Sequence, residues 1–317
     1  MKNKFRGLCS HCHVKPSRIK LDYARLHLCE DCFVKFVERK VERTIKKYGM
    51  IRSSDKVLVA LSGGKDSSVL LHIVKRLFPD VELLCLHIDL GIKNFSDECK
   101  KKVEELAHQE DVKLEVVSLK DFLGCGLSEL TSKYRKICST CGLLRRYMLN
   151  YHGNIIQATK IATGHNLDDV LAVLWDLYVK GDLIEASRLQ PVTKLIHPKA
   201  IPRIKPLIEL TDYELKVYAD LKGLPYTPIQ CSYGRESKLN RRKKLINTIE
   251  SMYPAFKHTF FKTHIKRIAP LVMDKLEAKR SNWMTCSKCG MPSRKEICAV
   301  CQLKESLKAQ GNCAMSL

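Results

Sequence analysis

The hydrophobic residues of the chain follow two spacings, one typical of buried strands and one typical of amphipathic helices. Short runs rich in Val, Ile and Leu predict strands at 56–61, 81–89, 113–118 and 160–163. Apolar residues that recur every three or four positions predict helices at 67–78, 97–109, 141–151, 167–180 and 211–222. Strands that alternate with helices in this way predict an α/β fold with a doubly wound parallel sheet covered on both faces.

The connection between the first predicted strand and its helix reads Ser62-Gly63-Gly64-Lys65-Asp66-Ser67. Glycines at a strand end let backbone N–H groups close around a phosphate, and the following helix adds its positive end. The serines supply hydroxyl donors, the lysine a positive charge and the aspartate a ligand for Mg2+. The spacing matches neither a Walker A loop nor Gly-x-Gly-x-x-Gly. We therefore predict a phosphate-binding turn of another kind.

Two further strand ends carry polar residues, Leu86-His87-Ile88-Asp89 and Thr163-Gly164-His165-Asn166-Leu167-Asp168-Asp169. Because the carboxyl ends of parallel strands meet at one edge, these residues and the phosphate-binding turn are expected to share a crevice. Asp89 is placed to bind a ribose, and Asp168 or Asp169 to bind Mg2+ or orient a base. Asn166 followed by two acids is also the pattern of a helix N-cap, and the sequence leaves both interpretations open.

Fifteen cysteines in a chain expected to be cytoplasmic indicate metal sites rather than disulfides. Two groups each contain two Cys-x2-Cys pairs: Cys9, Cys12, Cys29 and Cys32, and Cys286, Cys289, Cys298 and Cys301. Each group can close a tetrahedral zinc site with Zn–S distances of about 2.3 Å. Both sites are expected to be structural, because neither terminal segment has enough apolar residues to fold alone. Whether a histidine replaces a cysteine ligand is open for His11, His13 and His27.

Cys138 and Cys141 form a third pair without a second pair beside it, and Cys231, just beyond a short strand predicted to end at Pro228, is the best candidate partner. Three thiolates suit a 4Fe-4S cluster with one iron free of protein ligands, and they also suit zinc. A thiol or persulfide relay and plain buried cysteines fit the spacing equally well. Arg145 places positive charge one turn after Cys141. Core or surface thiols are expected at Cys85, Cys99, Cys125 and Cys313.

The net charge of +22 at pH 7 favours a polyanionic partner. Basic residues concentrate at 39–47, 238–244 and 262–267, a spread that suits a long nucleic acid better than one small anion. A solvated basic surface without a ligand is the simpler alternative. No apolar run approaches the roughly 20 residues that span a bilayer, and no apolar signal segment follows the N-terminus. A soluble cytoplasmic protein that does not bind membranes is expected.

Taken together, the turn at 62–67, the segment at 163–169, the three central cysteines and the two terminal four-cysteine groups resemble the TtuA and cytoplasmic tRNA 2-thiolation protein family. The resemblance covers essentially the whole chain. Its turn is the signature of the PP-loop ATP pyrophosphatases, which transfer AMP to a substrate oxygen and release pyrophosphate. The related tRNA cytidine thiolases lack this pair of terminal knuckles, which favours uridine as the target. One departure is Val170, where an acidic residue commonly follows the aspartate pair.

The resemblance implies a PP-loop fold of the adenine nucleotide alpha hydrolase type, with ATP over the turn and a 4Fe-4S cluster on Cys138, Cys141 and Cys231. Catalytic roles are expected for Lys65, Asp66, Arg145 and Asp169. We expect ATP and Mg2+ to contact Ala60, Ser62, Gly63, Gly64, Lys65, Asp66, Ser67, Ser68, His87, Gly164, Asp168 and Asp169. Two Zn2+ ions are expected at the terminal cysteine groups. The expected domains are a zinc knuckle with a linker helix at 1–50, a catalytic domain with a helical C-terminal part at 51–275, and a zinc ribbon at 276–317.

The expected activity is ATP-dependent 2-thiolation of a tRNA uridine. The C2 oxygen is adenylated, pyrophosphate leaves, and hydrosulfide carried on the cluster replaces AMP. A cluster-free persulfide enzyme and a non-catalytic zinc-ribbon scaffold that binds tRNA are the alternatives. The expected partners are tRNA and a sulfur donor, which is either a ubiquitin-like thiocarboxylate protein or sulfide, and a homodimer is expected by analogy. Both the wobble position and the T-loop are used within this family.

Overall fold

The computed structural model describes residues 7–130, 137–193, 195, 197–234, 237–276 and 283–309. Its strands are β1 Ile19–Leu21, β2 Leu26–Leu28, β3 Lys56–Leu61, β4 Glu82–Asp89, β5 Lys113–Ser118, β6 Lys160–Ala162, β7 Arg203–Ile204, β8 Met284–Thr285 and β9 Pro292–Ser293. Its first helices are α1 Glu30–Lys47, α2 Lys65–Leu77, α3 Phe95–Gln109, α4 Leu119–Leu123, α5 Leu127–Leu130, α6 Ile137–Ile155 and α7 Leu167–Val179. The later helices are α8 Leu183–Ser187, α9 Asp212–Leu221, α10 Lys238–Met252, α11 Phe256–Thr263, α12 Ala269–Leu276 and α13 Ala299–Ala309. No helix in these ranges is long and apolar enough to cross a membrane.

Five parallel strands form the central sheet in the order β5-β4-β3-β6-β7. The chain builds the sheet outward from β3 to β5, then returns to the other side of β3 for β6 and β7. The order therefore reverses between β3 and β6, and a crevice opens there at the carboxyl ends of the strands. This architecture confirms the predicted doubly wound α/β fold, and the four predicted strands are all present.

The fifth strand of the sheet, β7, is not predicted by the sequence pattern. Its two residues, Arg203 and Ile204, pair with Ile161 and Ala162, a length too short to produce a recognisable period. The short strand predicted to end at Pro228 is wrong, because residues 224–231 carry no strand assignment. That segment has no regular secondary structure, and Thr227 N donates to the carbonyl of Gly63 in the turn after β3.

Alternate residues of β3 face two separate cores, as expected for a strand buried on both faces. Val57, Val59 and Leu61 contribute to the core shared with α1, α2, α7 and α9. Leu58 contributes to the second core, shared with α4, α6 and α13. The terminal cysteine groups divide between these cores, since Cys9, Cys29 and Cys32 belong to the first and Cys286, Cys298 and Cys301 to the second. Each end of the chain is thus fastened to a different layer of the molecule.

A buried ion pair joins α1 to α9. Lys40 Nζ lies 3.0 Å from Glu214 Oε1, and the two side chains are 6% and 0% exposed. Tyr23 Oη donates a 2.6 Å hydrogen bond to the same carboxylate, and Lys40 Nζ lies 3.2 Å from His258 Nε2. The other oxygen, Oε2, accepts a bond from the backbone N–H of Thr211 at the start of α9. One carboxylate therefore holds the N-terminal knuckle, two helices and a helix cap together.

Lys40→Met is expected to lower the free energy of unfolding by about 3–5 kcal/mol, because it leaves the buried Glu214 carboxylate without its cation. Urea unfolding followed by circular dichroism measures the change. The matched control is Lys46→Met, since Lys46 forms an exposed pair with Glu42 on the same helix, and a loss below about 1 kcal/mol is expected there. Equal losses in the two variants would contradict the assignment.

Candidate active site

The turn after β3 is packed closely against α3 and is held by its own hydrogen bonds. Gly63 has φ +81°, and a Cβ at this position would lie 2.7 Å from the Cβ of Cys99 on α3. Ser67 Oγ accepts a bond from Ser62 N (3.2 Å) and donates to the carbonyl of Gly64 (2.8 Å). Helix α2 then begins at Lys65 without a side-chain cap at its N-cap residue. The turn therefore directs the positive end of α2 towards the crevice.

Lys65 lies between two carboxylates. Its Nζ atom is 2.6 Å from Asp66 Oδ1 and 2.6 Å from Asp212 Oδ1, the latter at the start of α9. Asn166 Nδ2 donates to both acids, to Asp66 Oδ2 at 3.2 Å and to Asp212 Oδ1 at 3.1 Å. Loops after β3 and β6 and the start of α9 therefore meet at one point, which confirms the shared crevice for two of the three predicted strand ends. At the third, Asp89 accepts a 2.9 Å bond from the backbone N–H of Gly91, and its proposed contact with a ribose stays a prediction.

The two carboxylates respond differently to this environment. Burial raises the pKa of Asp66 to about 6, although the charge of Lys65 opposes the change. Burial also acts on Asp212, but Lys65 and Lys243 outweigh it and lower the pKa of that carboxyl. For Lys65, the two carboxylates outweigh burial and raise the pKa of the ammonium. The site thus holds one securely charged acid and one whose charge is only weakly supported.

The loop after β6 is pressed against the first turn of α2. A Cβ at Gly164 would lie 3.0 Å from both the carbonyl carbon of Asp66 and the backbone nitrogen of Ser67. Asn166 and Asp169 form a reciprocal capping box at the start of α7, which confirms the capping interpretation of these residues. Capping uses Asp169 Oδ2, and the other oxygen of the carboxylate lies 2.5 Å from Lys243 Nζ.

Asp168 holds two neighbouring helices, α9 and α11, in place. Its side chain is fully buried, Oδ2 accepts a 2.8 Å bond from the backbone N–H of Asp212, and Oδ1 binds Lys257 Nζ. Both oxygens are therefore engaged in fixing α9 and α11, and a direct contact with ATP is not favoured by this geometry. The neighbouring Val170 is 4% exposed and packs in the first core. An acidic residue at 170 would face that apolar core in this structure.

His87 supports the turn from within the sheet. It is 3% exposed, and its Nδ1 lies 2.9 Å from the carbonyl oxygen of Leu61, one residue before Ser62. Burial lowers the pKa of His87, so the ring is neutral and its Nδ1–H donates to that carbonyl. Ala60, the other predicted ATP contact within the sheet, lies on β3 and is partly exposed.

Hydrogen bonds link two of the three central cysteines, Cys138 and Cys231, to the phosphate-binding turn through the segment around Thr227. Cys138 and Cys141 are on α6, and Cys138 Sγ donates to the carbonyl oxygen of Tyr233 at 3.4 Å, two residues after Cys231. The segment that leads to Cys231 is bonded to the turn, because Thr227 N donates to the carbonyl of Gly63 at 2.8 Å. Ser68 Oγ on α2 adds a 2.7 Å bond to the carbonyl of Pro225. The segment from Pro225 to Tyr233 thus connects the phosphate-binding turn with Cys231, which it carries, and with Cys138 on α6.

The spacing of these thiols differs from that of a single-ion site. Among the residues that the structure describes, four-cysteine groups with all sulfurs within 4.8 Å of one another occur at the two termini, and the central three cysteines do not form such a group. A cubane cluster binds each thiolate through a different iron and so needs a wider spacing than one ion. Burial raises the pKa of Cys141, while Arg145 opposes the change. The three sulfurs therefore do not stand at the separations of one tetrahedral ion.

The terminal groups have the spacing of one tetrahedral ion. The Sγ atoms lie 3.9 Å apart in Cys12–Cys29, 3.7 Å in Cys289–Cys298 and 3.9 Å in Cys286–Cys301. A tetrahedron with Zn–S bonds of about 2.3 Å has edges of roughly 3.8 Å. Each group consists of four cysteines, and no histidine is among its donors. Of the other cysteines, Cys85 and Cys99 are buried free thiols, as expected, and Cys313 lies outside the described residues. Cys125 is buried but is not a free thiol, so the expectation of a thiol at this position is wrong.

Sequence reasoning missed the roles of Asp212 and Lys243. Asp212 follows Thr211 in a capping box with Glu214, so its sequence context signals only the start of a helix. Lys243 lies in the basic run at 238–244 that predicts a contact with nucleic acid, and in the structure it binds Asp169 instead. Neither residue has a spacing that points to the turn, because α9 and α10 reach it only through tertiary packing.

The fold and the site together define a PP-loop protein: a parallel sheet, a Ser-Gly-Gly-Lys-Asp-Ser turn at its switch point and polar residues converging on that turn. The PP-loop domain family matches residues 35–246. The chain is 34% identical over 294 residues to the tRNA-5-methyluridine(54) 2-sulfurtransferase of Pyrococcus horikoshii, covering 93% of this chain and 92% of the relative. It is 29% identical to the cytoplasmic tRNA 2-thiolation protein 1 of Danio rerio, covering 94% and 88%.

A solved structure agrees with these sequence matches. The U34-tRNA thiolase NcsA from Methanococcus maripaludis, with its 4Fe-4S cluster, superimposes with a TM-score of 0.80 at 27% identity, covering 96% of this chain and 97% of that chain. The protein therefore belongs to the tRNA 2-thiolation family of PP-loop proteins, as the sequence resemblance predicts.

Asp66→Asn is expected to stabilise the nucleotide-free protein at pH 8 and to give no gain at pH 4. The folded pKa of about 6 lies above the usual 3.8, so folding favours the protonated carboxyl. The stability contributed by Asp66 is complete below the unfolded pKa and is lost as the pH rises through about 6. A gain of about 1–2 kcal/mol is expected at pH 8.

Urea unfolding without Mg2+ or nucleotide, at both pH values, measures this difference. The control is Asp80→Asn, since Asp80 is exposed in the turn before β4. A gain for Asp66→Asn that is the same at pH 4 and pH 8 would show that burial of the charged carboxylate is not its cause.

Proposed function

We propose that the protein is an ATP-dependent tRNA sulfurtransferase that adenylates the C2 oxygen of a tRNA uridine and replaces this oxygen with sulfur. The observation that carries the proposal is the 2.8 Å bond from Thr227 N to the carbonyl of Gly63, which links the chain bearing Cys231 to the phosphate-binding turn. The names of the relatives support it, since they are tRNA sulfurtransferases and 2-thiolation proteins. So does the 4Fe-4S cluster of the structural neighbour.

ATP is assigned to the crevice between the turn and the loop after β6. Backbone N–H groups of the turn and the N-terminus of α2 face the phosphates, and Ser62 adds a hydroxyl donor, while the Ser67 hydroxyl donates to the carbonyl of Gly64 within the turn. Lys65 stabilises the negative charge that develops on the departing pyrophosphate. Asp66 offers a carboxylate to Mg2+, because a bound cation offsets the burial that raises the pKa of this group.

The reaction proceeds in two displacements. The C2 oxygen of the uridine attacks the α-phosphorus of ATP, and the bond from that phosphorus to pyrophosphate breaks. Hydrosulfide then attacks C2, and AMP leaves with the original C2 oxygen, so that the products are 2-thiouridine, AMP and pyrophosphate. Arg145 stands one turn from Cys141 and attracts the anionic sulfur. Asp169, fixed by Asn166 and Lys243, is a second carboxylate at the edge of this crevice.

The three central cysteines are proposed to hold a 4Fe-4S cluster, a proposal supported by the 4Fe-4S cluster of the structural neighbour NcsA. Such a cluster supplies an iron without a protein ligand at which the incoming sulfur is kept. Cys138 and Cys141 offer thiolates from one helix, and Cys231 offers the third from the segment that is bonded to the turn. Cys138 is exposed and the other two are partly buried, so the incoming sulfur can reach this place from solvent.

The terminal cysteine groups are proposed to hold one structural Zn2+ each. Their sulfur separations match one tetrahedral ion. We assign them to end domains at 1–50 and 276–317 that flank the catalytic domain at 51–275. The net charge of +22 suits a tRNA partner, and a uridine in a loop can leave its stack at lower cost than a paired base.

Cys231→Ser is expected to abolish both the visible absorbance of the cluster and the formation of 2-thiouridine, because one of three iron ligands is lost. Protein purified without oxygen is supplied with tRNA, Mg-ATP and sulfide, and nucleosides are analysed by mass spectrometry. About four iron atoms per wild-type chain are expected, with zinc content and ATP affinity unchanged in the variant.

Cys85→Ala serves as the control, since Cys85 is a buried cysteine of β4 outside the proposed site. It is expected to keep iron and activity. Wild-type protein that is active without iron would exclude the cluster in favour of a persulfide carrier. Wild-type protein that carries iron but never thiolates tRNA would contradict the proposed function.

Lys65→Met is expected to reduce tRNA-dependent release of pyrophosphate roughly 100-fold or more, because the developing charge loses its cation. Lys75→Met, near the other end of α2, is the control and is expected to keep the wild-type rate. Retained cluster absorbance shows that the Lys65 variant is folded. A rate within threefold of wild type would remove Lys65 from the mechanism.

A further inference from the structure

Three cationic side chains lie together at the edge of the candidate active site. Arg146 is on α6, Arg203 is on β7, and Lys205 directly follows β7. Lys65 and Lys243 in the same crevice each bind a carboxylate, whereas no ion pair with an acidic side chain is formed by these three within the described ranges. We refer to Arg146, Arg203 and Lys205 as the basic triad.

Two members of the basic triad, Arg203 and Lys205, are held in place by backbone carbonyls. Arg203 Nη2 donates to the carbonyl of Arg146 at 3.1 Å, and Lys205 Nζ donates to the carbonyl of Gln190 at 2.6 Å. These contacts orient the cations without neutralising them. Arg203 Nε is buried and has no hydrogen-bond partner in the structure. A buried donor without an acceptor is uncommon in folded proteins and points to a missing ligand.

The electrostatics of the basic triad also indicate an absent anion. Burial lowers the pKa of Lys205 to about 8, and the charge of Arg203 adds to this effect. Burial likewise lowers the pKa of Arg203, with a further contribution from Arg146. The three charges therefore repel one another in a partly dehydrated place. A bound anion relieves that repulsion.

The position of the basic triad separates it from the proposed ATP phosphates. Arg146 lies on the cysteine side of the crevice, close enough to Cys141 for the two charges to interact, and its Nη1 is 3.2 Å from the position of a Cβ on Gly142. Lys65 lies elsewhere, between Asp66 and Asp212. The nucleotide thus already has its own cation and helix N-terminus, and the basic triad is available for a second anion.

We propose that the basic triad binds a phosphodiester of the tRNA strand next to the uridine that enters the crevice. The proposal rests on the proposed function, which supplies RNA as the partner. A base placed between the turn and the three cysteines carries its own backbone phosphates to the rim of the same crevice. Contacts to phosphate fix the register of a nucleic acid without reading its sequence, so the basic triad positions the target uridine.

The test compares Arg146→Gln/Lys205→Gln with a matched control, Arg52→Gln/Lys113→Gln. Arg203 is kept because it contacts the backbone of α6. Arg52 and Lys113 are exposed near the amino ends of β3 and β5, at the opposite edge of the sheet, and their replacement removes the same charge. Affinity for unmodified tRNA is measured by filter binding over a range of salt concentrations.

The triad variant is expected to bind tRNA about 10-fold more weakly than the control, with the slope of log K against log salt reduced by about 1–2. KM for tRNA should rise while kcat at saturating tRNA stays within threefold. Affinity for a non-hydrolysable ATP analogue and iron content should not change.

Equal tRNA affinity and equal salt slopes in the two double variants would overturn the proposal. Weaker ATP binding with unchanged tRNA binding would assign the basic triad to the nucleotide and would also overturn it. Failure of the proposed function gives a different result, since wild-type protein would then bind tRNA without forming 2-thiouridine while the comparison of salt slopes still tests the basic triad.

Discussion

The backbone bond between Thr227 and Gly63 is the contact on which the arrangement of the site depends. It joins a segment without regular secondary structure to the phosphate-binding turn. Cys231 follows on that segment four residues after Thr227, and the Cys138 thiol contacts the same loop two residues later, at Tyr233. Gly63 is itself closely packed against Cys99, which fixes its side of this contact. The sulfur-bearing residues are thereby positioned relative to the nucleotide site by backbone geometry.

The crevice beside the turn concentrates charged side chains, an arrangement that costs stability and prepares the site to bind a cation or a reacting group. Asp66, Asp169 and Asp212 lie in one crevice, and their mutual repulsion is offset by Lys65 and Lys243. Such concentrations of partly buried acids are characteristic of places where a cation or a reacting group is bound. The rest of the fold supplies the rigidity that this arrangement requires, through two apolar cores and the buried pair that joins α1 to α9.

Much of this arrangement is predictable from sequence where the signal is local. The period of the apolar residues gives the strands β3 to β6, and the pairs of cysteines give the two terminal groups, because ligand spacing within a knuckle is set by a few residues of chain. The sharing of one crevice by Gly63 and Gly164 follows from the rule for parallel strands. The capping role of Asn166 is equally local, since a helix start has a short signature.

The remaining features depend on contacts between distant segments and are not visible in any local pattern. β7 is too short to show a period, and the segment at 224–231 is held by hydrogen bonds to the turn and to α2 rather than by a sheet. Asp212 and Lys243 reach the site only because α9 and α10 pack beside α2 and α7. A local pattern also does not show which way the side chains of a basic run point. Lys243 binds Asp169 in the crevice, although its run predicts an exposed surface for nucleic acid.

The most direct test of the account is a crystal structure of the anaerobically prepared protein with a non-hydrolysable ATP analogue, with iron located by anomalous scattering. Iron is expected at Cys138, Cys141 and Cys231, facing the α-phosphorus across a gap that a single pyrimidine ring fills. Iron confined to the terminal cysteine groups, or a nucleotide bound on the opposite side of the sheet from Cys231, would contradict it.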